Sequence, residues 1–188
     1  DHLAHTHEVF NQSATLENVN SYAGDTALRE GVARRGAVWA EDALHAHGER
    51  CGSAEVIEWG FLANEYKPRF YGHDRQGYRV DHVRYHDAYH KLMGLGLEAG
   101  LHSRPWTDPR PGAHVARAAQ YYLQAQVESG HGCPLTMTFA SVPTLRLTPE
   151  IADSWLPKVL ARAYDPRNVP HTEKSALTIG MGMTEKQG

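Results

Sequence analysis

Ala113–Ser129, AHVARAAQYYLQAQVES, is the clearest helical segment of the chain and contains no Gly or Pro. Its apolar side chains recur every three or four residues, which is the period with which one face of an α-helix meets a core. Ala, Leu and Gln are also good helix formers. The repeating positions are Val115, Ala118, Ala119, Tyr122, Leu123, Gln126 and Val127. This stretch predicts a long amphipathic helix and sets the fold class.

Segments of similar character lie on both sides of it. Side chains suited to capping begin three of them, because Asp, Ser and Thr accept hydrogen bonds from the free N–H groups of a first helical turn. The nearly uncharged run after Cys133-Pro134 predicts a buried helix. We expect helices from Asp25 to about Arg34, Ser53 to Lys67, Asp87 to about Glu98, Leu135 to Val142, and Thr148-Pro149 to about Ala163. Six or seven helices predict a mainly α protein.

One internal stretch, Arg69–His86, breaks the helical pattern. Asp74-Arg75-Gln76-Gly77 has the composition of a turn and lies between the strand-like pieces Phe70-Tyr71 and Tyr78–Tyr85. We therefore predict an extended excursion between two helices.

The domain organisation follows from changes in composition along the chain. Residues 1–24 are polar and irregular and predict an extended arm, and residues 25–175 form the helical domain. Residues 176–188 open a second domain, because Ala176–Gly180 is a small, apolar, strand-like run. The chain starts at Asp1 without a Met and stops within a predicted loop, so we expect a piece of a longer protein.

Composition narrows the class of protein. The chain has 188 residues, a net charge of -3 and a pI near 6.5, which gives no reason to expect nucleic-acid binding by this segment. No run approaches the roughly 18 apolar residues of a membrane helix, and no secretory signal is visible. Cys51 and Cys133 have no metal or redox spacing. Two reduced thiols in a cytoplasmic protein are favoured over a disulfide.

Three histidines, His82, His86 and His90, are spaced four residues apart and would line one face of a single helix. Metal binding needs several side chains that point at one ion, here the histidines together with a carboxylate or thiolate, and surrounding hydrogen bonds that orient these ligands. His82 and His86 lie in the strand-like excursion, however, so structural or surface histidines are favoured over a metal site. His2, His5 and His7 are weaker candidates, because a mobile arm rarely preorganises ligands.

Two other groups could contribute to a binding site. Trp106, in a Pro-rich loop of residues 103–112, could cover a ligand, although a side chain that plugs the core is favoured. The segment Cys133–Ala140 places hydroxyls and a thiol in an apolar helix, which suits the wall of a pocket. No base is positioned to activate Cys133, so we do not predict a nucleophile. Common nucleotide, hydrolase and zinc motifs are absent from the sequence.

The final segment carries a family resemblance. Met181-Gly182-Met183-Thr184-Glu185 resembles the flavin-contacting segment of the acyl-CoA dehydrogenase superfamily. Four further segments are similar, in order and spacing, to the AidB branch of adaptive-response flavoproteins; they are Thr6–Gln12, Gly112–Ala119, Gln126–Gly130 and Cys133–Ala140. The resemblance runs over essentially all 188 residues.

The resemblance implies a fold and a cofactor. The fold is the amino-terminal helical domain of an acyl-CoA dehydrogenase, followed by the first strand and flavin loop of a β-domain. The implied cofactor is FAD, and the implied cofactor-binding residues are Met181, Gly182, Met183, Thr184, Glu185, Lys186, Gln187 and Gly188. More loosely, Leu135, Thr136, Thr138 and Phe139 would line a substrate pocket.

The resemblance also implies an activity, namely α,β-dehydrogenation of an acyl thioester by a cytoplasmic homotetramer. In relatives the catalytic glutamate lies far downstream, as does the basic region linked to DNA binding, so no residue of this chain is assigned as catalytic. The Ser expected after the loop's second Gly is also absent. A flavoprotein that binds DNA in the alkylation-damage response with little turnover is the alternative. A helical subunit without flavin is the third possibility.

Overall fold

A computed structural model of the chain describes residues 6–182 and residue 186. Within them, eight α-helices and one two-stranded sheet make up most of the regular structure, which confirms the mainly α fold. The helices are α1 (Thr26–Arg34), α2 (Glu41–Cys51), α3 (Ala54–Glu65), α4 (Asp87–Glu98), α5 (Arg104–Thr107), α6 (Ala113–Ala125), α7 (Gly132–Leu145) and α8 (Pro149–Val159). The strands are β1 (Arg69–His73) and β2 (Arg79–Arg84), and short 3₁₀ turns span Val38–Ala40 and His171–Glu173.

The predicted helix starts are confirmed where a side chain satisfies a free backbone N–H. Asp25 Oδ1 accepts a hydrogen bond of 2.8 Å from the N–H of Leu28, and Ser53 Oγ accepts one of 3.3 Å from that of Val56. Thr148 occupies the same position before α8, but its hydroxyl makes no capping bond. There Pro149 starts the helix. Its fixed φ suits the first helical position, and the N–H that proline lacks would have no partner within the helix at that point.

The core consists of three apolar clusters around α6 and α7. The first joins α1, α2 and α6 through Val32, Leu44 and Leu123, among others. The second contains Met93, Leu97, Leu101 and Leu135, and the third Val142, Val159 and Leu177. Burying one such side chain contributes about 1.5–3 kcal/mol relative to leaving it exposed, so these clusters hold the helices together.

Some predicted core positions face outward. The apolar pattern of α3 predicts Phe61 on its buried side, together with Ile57 and Leu62. Phe61 is instead 67% exposed, while Val56 and Gly60 of the same helix are buried. Gly60 marks the close contact, because a Cβ there would overlap the carbonyl oxygen of Val127. The Pro-rich loop is also shorter than predicted, because Pro105 occupies the first turn of α5.

The predicted excursion is a β-hairpin. Its strands pair antiparallel, with Phe70 opposite Val83 and Tyr71 opposite His82. In the turn, Asp74 Oδ1 accepts hydrogen bonds of 2.9 Å from the N–H groups of Gln76 and Tyr78. Gly77 adopts a φ of +90°, which explains why the turn needs glycine there.

The two ends of the chain follow different paths. Residues 6–17 are exposed and have no regular structure, whereas the N–H groups of Val19 and Ser21 bind carbonyls of Gly52 and Gly48 on α2. Residues 176–182 run beside α7 and α8 with no neighbouring strand among the described residues, so the strand at Ala176–Gly180 stays a prediction. In the described part of the chain no helix is both long and apolar enough to cross a membrane.

Candidate functional site

Residues 176–182 approach the helices through every second backbone amide. The N–H of Leu177 donates to the carbonyl of Lys158 (3.1 Å), that of Ile179 to Oγ1 of Thr138 (3.0 Å), and that of Met181 to Sδ of Met137 (3.3 Å). Alternate residues of an extended chain point to opposite sides. One side of the segment is therefore bound to α7 and α8.

Thr138 is positioned for this contact by its own helix. Its hydroxyl donates a hydrogen bond of 2.8 Å to the carbonyl of Pro134, which orients the oxygen lone pairs toward the terminal segment. The side chain is fully buried, and Ser141 donates to the carbonyl of Thr138 from the next turn. A hydroxyl in an otherwise apolar helix thus has a structural partner at each side.

The predicted cofactor residues are only partly described. Met181 is 40% exposed, and Gly182 and Lys186 are exposed as well. A Cβ built on Gly180 or Gly182 meets no atom within 4 Å, so the main chain at these two positions faces open space. The predicted contacts at Met183, Thr184, Glu185, Gln187 and Gly188 lie outside the described residues.

The four predicted pocket residues lie on two faces of α7. Leu135 and Thr138 are fully buried and face the domain interior, where Leu135 packs with Met93 and Leu97. Thr136 is exposed and Phe139 is half-buried on the outer side. In this structure Thr136 and Phe139 are therefore the two of the four that a ligand can reach.

An aromatic and cationic cluster surrounds Phe139. Trp106 stacks on Phe139 with ring centroids 4.9 Å apart, and its Nε1 donates to the carbonyl of Phe139 (2.9 Å). The guanidinium of Arg117 lies 3.8 Å above the centre of the Phe139 ring. Trp106 therefore packs onto the domain, as we favoured, and the sequence did not indicate its partners.

Arg117 is held in place rather than free. Its Nε donates a hydrogen bond of 2.6 Å to the carbonyl of Leu101, and its Nη2 approaches Oγ1 of Thr136 at 3.5 Å. Burial lowers the pKa of Arg117 from its usual range. The result is a fixed positive charge next to the exposed hydroxyl of α7. No local pattern in the sequence indicates this role of Arg117, because its partners lie on other segments of the chain.

The three spaced histidines do not converge. His82 lies in β2, His86 accepts a hydrogen bond from the N–H of Ala88 at the start of α4, and His90 binds the hydroxyl of Tyr164 (2.7 Å). The described part of the chain contains no group of three or more side chains arranged to bind a metal. The two cysteines are also separate, since Cys51 is buried, which raises its pKa to about 12, and Cys133 is exposed.

A buried polar chain links α6 to the start of α7. Gln124 Nε2 donates to the carbonyl of Leu92 (3.0 Å) and lies 2.8 Å from Nε2 of His131, whose Nδ1 is 2.8 Å from Glu128. Desolvation pushes the pKa of Glu128 upward, but hydrogen bonds from His131 and Gly130 outweigh it, so the pKa is lowered. The spacing of Glu128 and His131 was the only signal of this network in the sequence.

A cleft of about 520 Å³ lies between the hairpin and residues 164–178. Its lining includes the hydrogen-bonded pair His90 and Tyr164 and three cationic side chains, those of Arg84, Arg167 and Lys174. Asp165 binds Arg167 and the backbone N–H of Ser175, and these contacts hold the pKa of Asp165 well below its usual range. No local pattern in the sequence indicates that these distant segments meet.

Comparison with known proteins agrees with the arrangement of helices. Residues 11–166 match the family model described as the adaptive response protein AidB N-terminal domain. A relative from Escherichia coli (strain K12), "Putative acyl-CoA dehydrogenase AidB", is 47% identical over 185 residues, which are 97% of this chain and 34% of the relative. The chain therefore spans about a third of that relative's length.

Two solved structures share the fold. Bd2924 in its apo-form matches with a TM-score of 0.80 and 24% identity, over 96% of this chain and 35% of that one. Caenorhabditis elegans ACDH-11, crystallised in complex with C11-CoA, matches with a TM-score of 0.78 and 24% identity, over 98% and 32% of the two chains. At this identity the likeness concerns the fold alone.

Proposed function

The chain belongs to the AidB amino-terminal domain family, and from this membership we propose that it forms the helical side of an FAD site in an acyl-CoA dehydrogenase-type flavoprotein. The substrate class is an acyl thioester. The name of the E. coli relative and the C11-CoA bound to ACDH-11 support this class. The reaction itself belongs to a protein of the relative's full length, about a third of which this chain spans.

The observation that carries the proposal is the path of residues 176–182 along α7. Their alternate amides are bound to the helices, while the backbone at Gly180 and Gly182 has open space beside it. A flat ring can approach a main chain closely only where no side chain intervenes. The segment therefore fits an isoalloxazine ring that lies against the backbone.

We assign the remaining tasks to separate residues of the chain. Met181 and Gly182 bring the chain to the ring, and Thr184 donates its hydroxyl to the polar edge of the flavin, as the family resemblance implies. Bound FAD supplies the hydride acceptor. Phe139 shields the outer side of α7 from water, and Arg117 offers a fixed charge to an anionic ligand near Thr136. The base that removes the α-proton belongs to another part of the protein.

A flavin assay of the full-length protein tests the proposal. We expect an absorption band near about 450 nm with one flavin per chain, which acyl thioester bleaches under anaerobic conditions. Thr184→Val is expected to weaken flavin retention by about tenfold, the loss of one good hydrogen bond. Thr178→Val, in an exposed position before the loop, is the matched control. Purification without any flavin, or equal retention by both variants, would contradict the proposal.

The same protein distinguishes the DNA-binding alternative. For a flavoprotein that binds DNA and has little turnover, the affinity for DNA would rise steeply as the salt concentration falls. Acyl thioester would not bleach its flavin. This chain itself carries a net charge of -3, so such binding would come from other regions. Bleaching together with weak, salt-insensitive DNA association would favour the dehydrogenase.

A further inference from the structure

The cleft between the β-hairpin and residues 164–178 has the size of a small-molecule site. Its volume of about 520 Å³ lies within the range of about 300–1,000 Å³ that is typical of ligand pockets. The hydroxyl of Tyr164 lies 2.7 Å from Nδ1 of His90 on α4, and Asn168 Nδ2 lies 3.4 Å from Nδ1 of His82 on β2. The two walls are thus joined at more than one point, which favours a cleft that exists before a ligand binds.

The two carboxylates that line the cleft are already neutralised by arginines. Asp81 Oδ2 lies 2.6 Å from Nε of Arg79, and Asp165 Oδ2 lies 2.7 Å from Nη2 of Arg167. Asp165 also accepts hydrogen bonds from the backbone N–H and the hydroxyl of Ser175, and its side chain is only 5% exposed. Neither aspartate is therefore available to another cation of the cleft.

Two further cations line the cleft, Arg84 and Lys174, and neither has a carboxylate partner in the described part of the chain. Lys174 is half-buried, so water only partly compensates its charge. Arg69 lies directly opposite Arg84 in the strand ladder, where like charges repel each other. Positive charge that is not neutralised inside a concave site attracts an anion. The cleft therefore favours an anionic ligand.

One wall of the cleft is aromatic. Tyr85 stacks on Tyr89 with ring centroids 4.2 Å apart, and His90 stacks on Tyr164 with centroids 5.8 Å apart. All four rings line the cleft, and Tyr85 is 39% exposed, so part of its surface is free. Aromatic side chains take a further ring in an offset-stacked or edge-to-face arrangement. The wall can thus hold a flat ring beside the cationic side chains.

We propose that this cleft binds a small phosphate monoester carried on a flat ring, such as a nucleoside monophosphate. Arg84 and Lys174 hold the phosphate, the amide of Asn168 donates a further hydrogen bond, and the ring lies against Tyr85. A phosphate monoester fits two cations, because it carries close to two negative charges at pH 7 and three acceptor oxygens.

This site is separate from the one proposed for flavin. Among the described residues, Thr136, Phe139 and Met181 are not part of the lining of the cleft. The inference therefore does not rest on the proposed function, and binding to the cleft can be measured whether or not the protein holds FAD.

Isothermal titration of the full-length protein with adenosine monophosphate tests the site. We expect one molecule to bind per chain with a Kd on the order of 100 μM, and the affinity to fall as salt rises, because salt screens partly exposed charges. Inorganic phosphate, which lacks the ring, should bind at least about tenfold more weakly. Adenosine, which lacks the charge, should show no measurable binding. Arg84→Gln and Lys174→Gln should each weaken the binding of adenosine monophosphate at least about tenfold.

Two further variants separate the contributions of ring, charge and folding. Tyr85→Leu removes the ring but keeps an apolar side chain, so it should weaken the binding of adenosine monophosphate and leave that of inorganic phosphate unchanged. Arg34→Gln, on the exposed end of α1, removes the same charge as Arg84→Gln outside the cleft and should leave both affinities unchanged. Because Arg84 and Tyr85 are exposed, their variants should keep the circular dichroism spectrum of the wild type.

Three results would each overturn the proposal. The first is a full-length protein that does not bind adenosine monophosphate, which is also the result expected if another segment of the longer protein fills the cleft. The second is equal affinity of Arg84→Gln and Arg34→Gln for this probe. The third is displacement of adenosine monophosphate by an acyl thioester, which would make the cleft a part of the substrate site.

Discussion

The backbone N–H of Ile179 donates a hydrogen bond of 3.0 Å to Oγ1 of Thr138, 41 residues earlier in the chain. This contact joins the end of the helical domain to the middle of α7. Because Thr138 is fully buried, no water replaces the hydroxyl if it is removed.

Thr138→Val is therefore expected to lower the free energy of unfolding by about 1–3 kcal/mol, the cost of an unsatisfied buried donor. The amide of Ile179 should also exchange with solvent faster. Hydrogen exchange and urea unfolding measure the two effects. Thr144→Val, in an exposed position on the same helix, is the control and should change neither quantity.

Two helical glycines should respond in opposite ways to alanine. At Gly60 the new Cβ would overlap the carbonyl oxygen of Val127, so Gly60→Ala is expected to destabilise the fold by about 1–3 kcal/mol. At Gly94, inside α4, a Cβ meets nothing within 4 Å, so Gly94→Ala should stabilise by about 0.5–1 kcal/mol. Thermal unfolding of both variants checks the signs, and a stabilised Gly60→Ala would show that α3 lies farther from Val127.

Glu128 holds the turn that leads into α7 through hydrogen bonds from the N–H groups of Gly130 (2.6 Å) and His131 (2.9 Å). Glu128→Gln should cost about 1–3 kcal/mol at pH 7, because charged acceptors bind such donors more strongly. The pKa of the Glu128 carboxyl is lowered in the folded state from its ordinary value of 4.5. Its contribution to the free energy of unfolding is therefore fully present above pH 4.5 and is lost as the pH falls. The difference between wild type and variant should therefore shrink below that pH, whereas exposed Glu49→Gln should have little effect at any pH.

Two buried histidines should make the fold sensitive to acid. Burial lowers the pKa of His47 and of His102 from 6.5 to about 4. Between these pH values the unfolded chain therefore binds more protons than the folded chain. The free energy of unfolding should keep its full value above pH 6.5 and fall as the pH decreases toward 4. At about 1.4 kcal/mol per pKa unit, each histidine contributes about 3 kcal/mol across this range.

Urea unfolding at several pH values measures the slope of the free energy of unfolding against pH. His47→Gln should flatten the dependence of the free energy of unfolding on pH by removing one of the histidines whose pKa is lowered in the folded state. His73→Gln, in the exposed hairpin, should leave it unchanged. Equal slopes for wild type and His47→Gln would show that the pKa of His47 is not lowered in the folded protein.

Local signals in the sequence were sufficient for most elements. Asp25 and Ser53 start helices because their side chains satisfy free N–H groups nearby in the chain, and Asp74 with Gly77 forms a turn for a similarly local reason. Phe61 was misplaced because α3 is apolar on more than one side. Its burial depends on where the neighbouring helices lie, which periodicity does not determine.

The candidate site was less predictable than the fold. The family resemblance supplied the flavin loop and the four residues of α7, but not which face of α7 each residue occupies. Arg117 reaches Phe139 and Thr136 only after α6 and α7 pack together. The hydrogen bond between His90 and Tyr164 in the wall of the cleft likewise joins residues 74 positions apart, a distance over which no local pattern carries information.

The alternating amides of residues 176–182 have a mechanical consequence. Leu177, Ile179 and Met181 commit their N–H groups to the helices, so the backbone of the residues between them faces the opposite direction and is free to join a sheet. One strand can in this way be shared by two layers. A shift of α7 would then be transmitted directly to any sheet that the predicted strand joins, and the two layers would move together rather than independently.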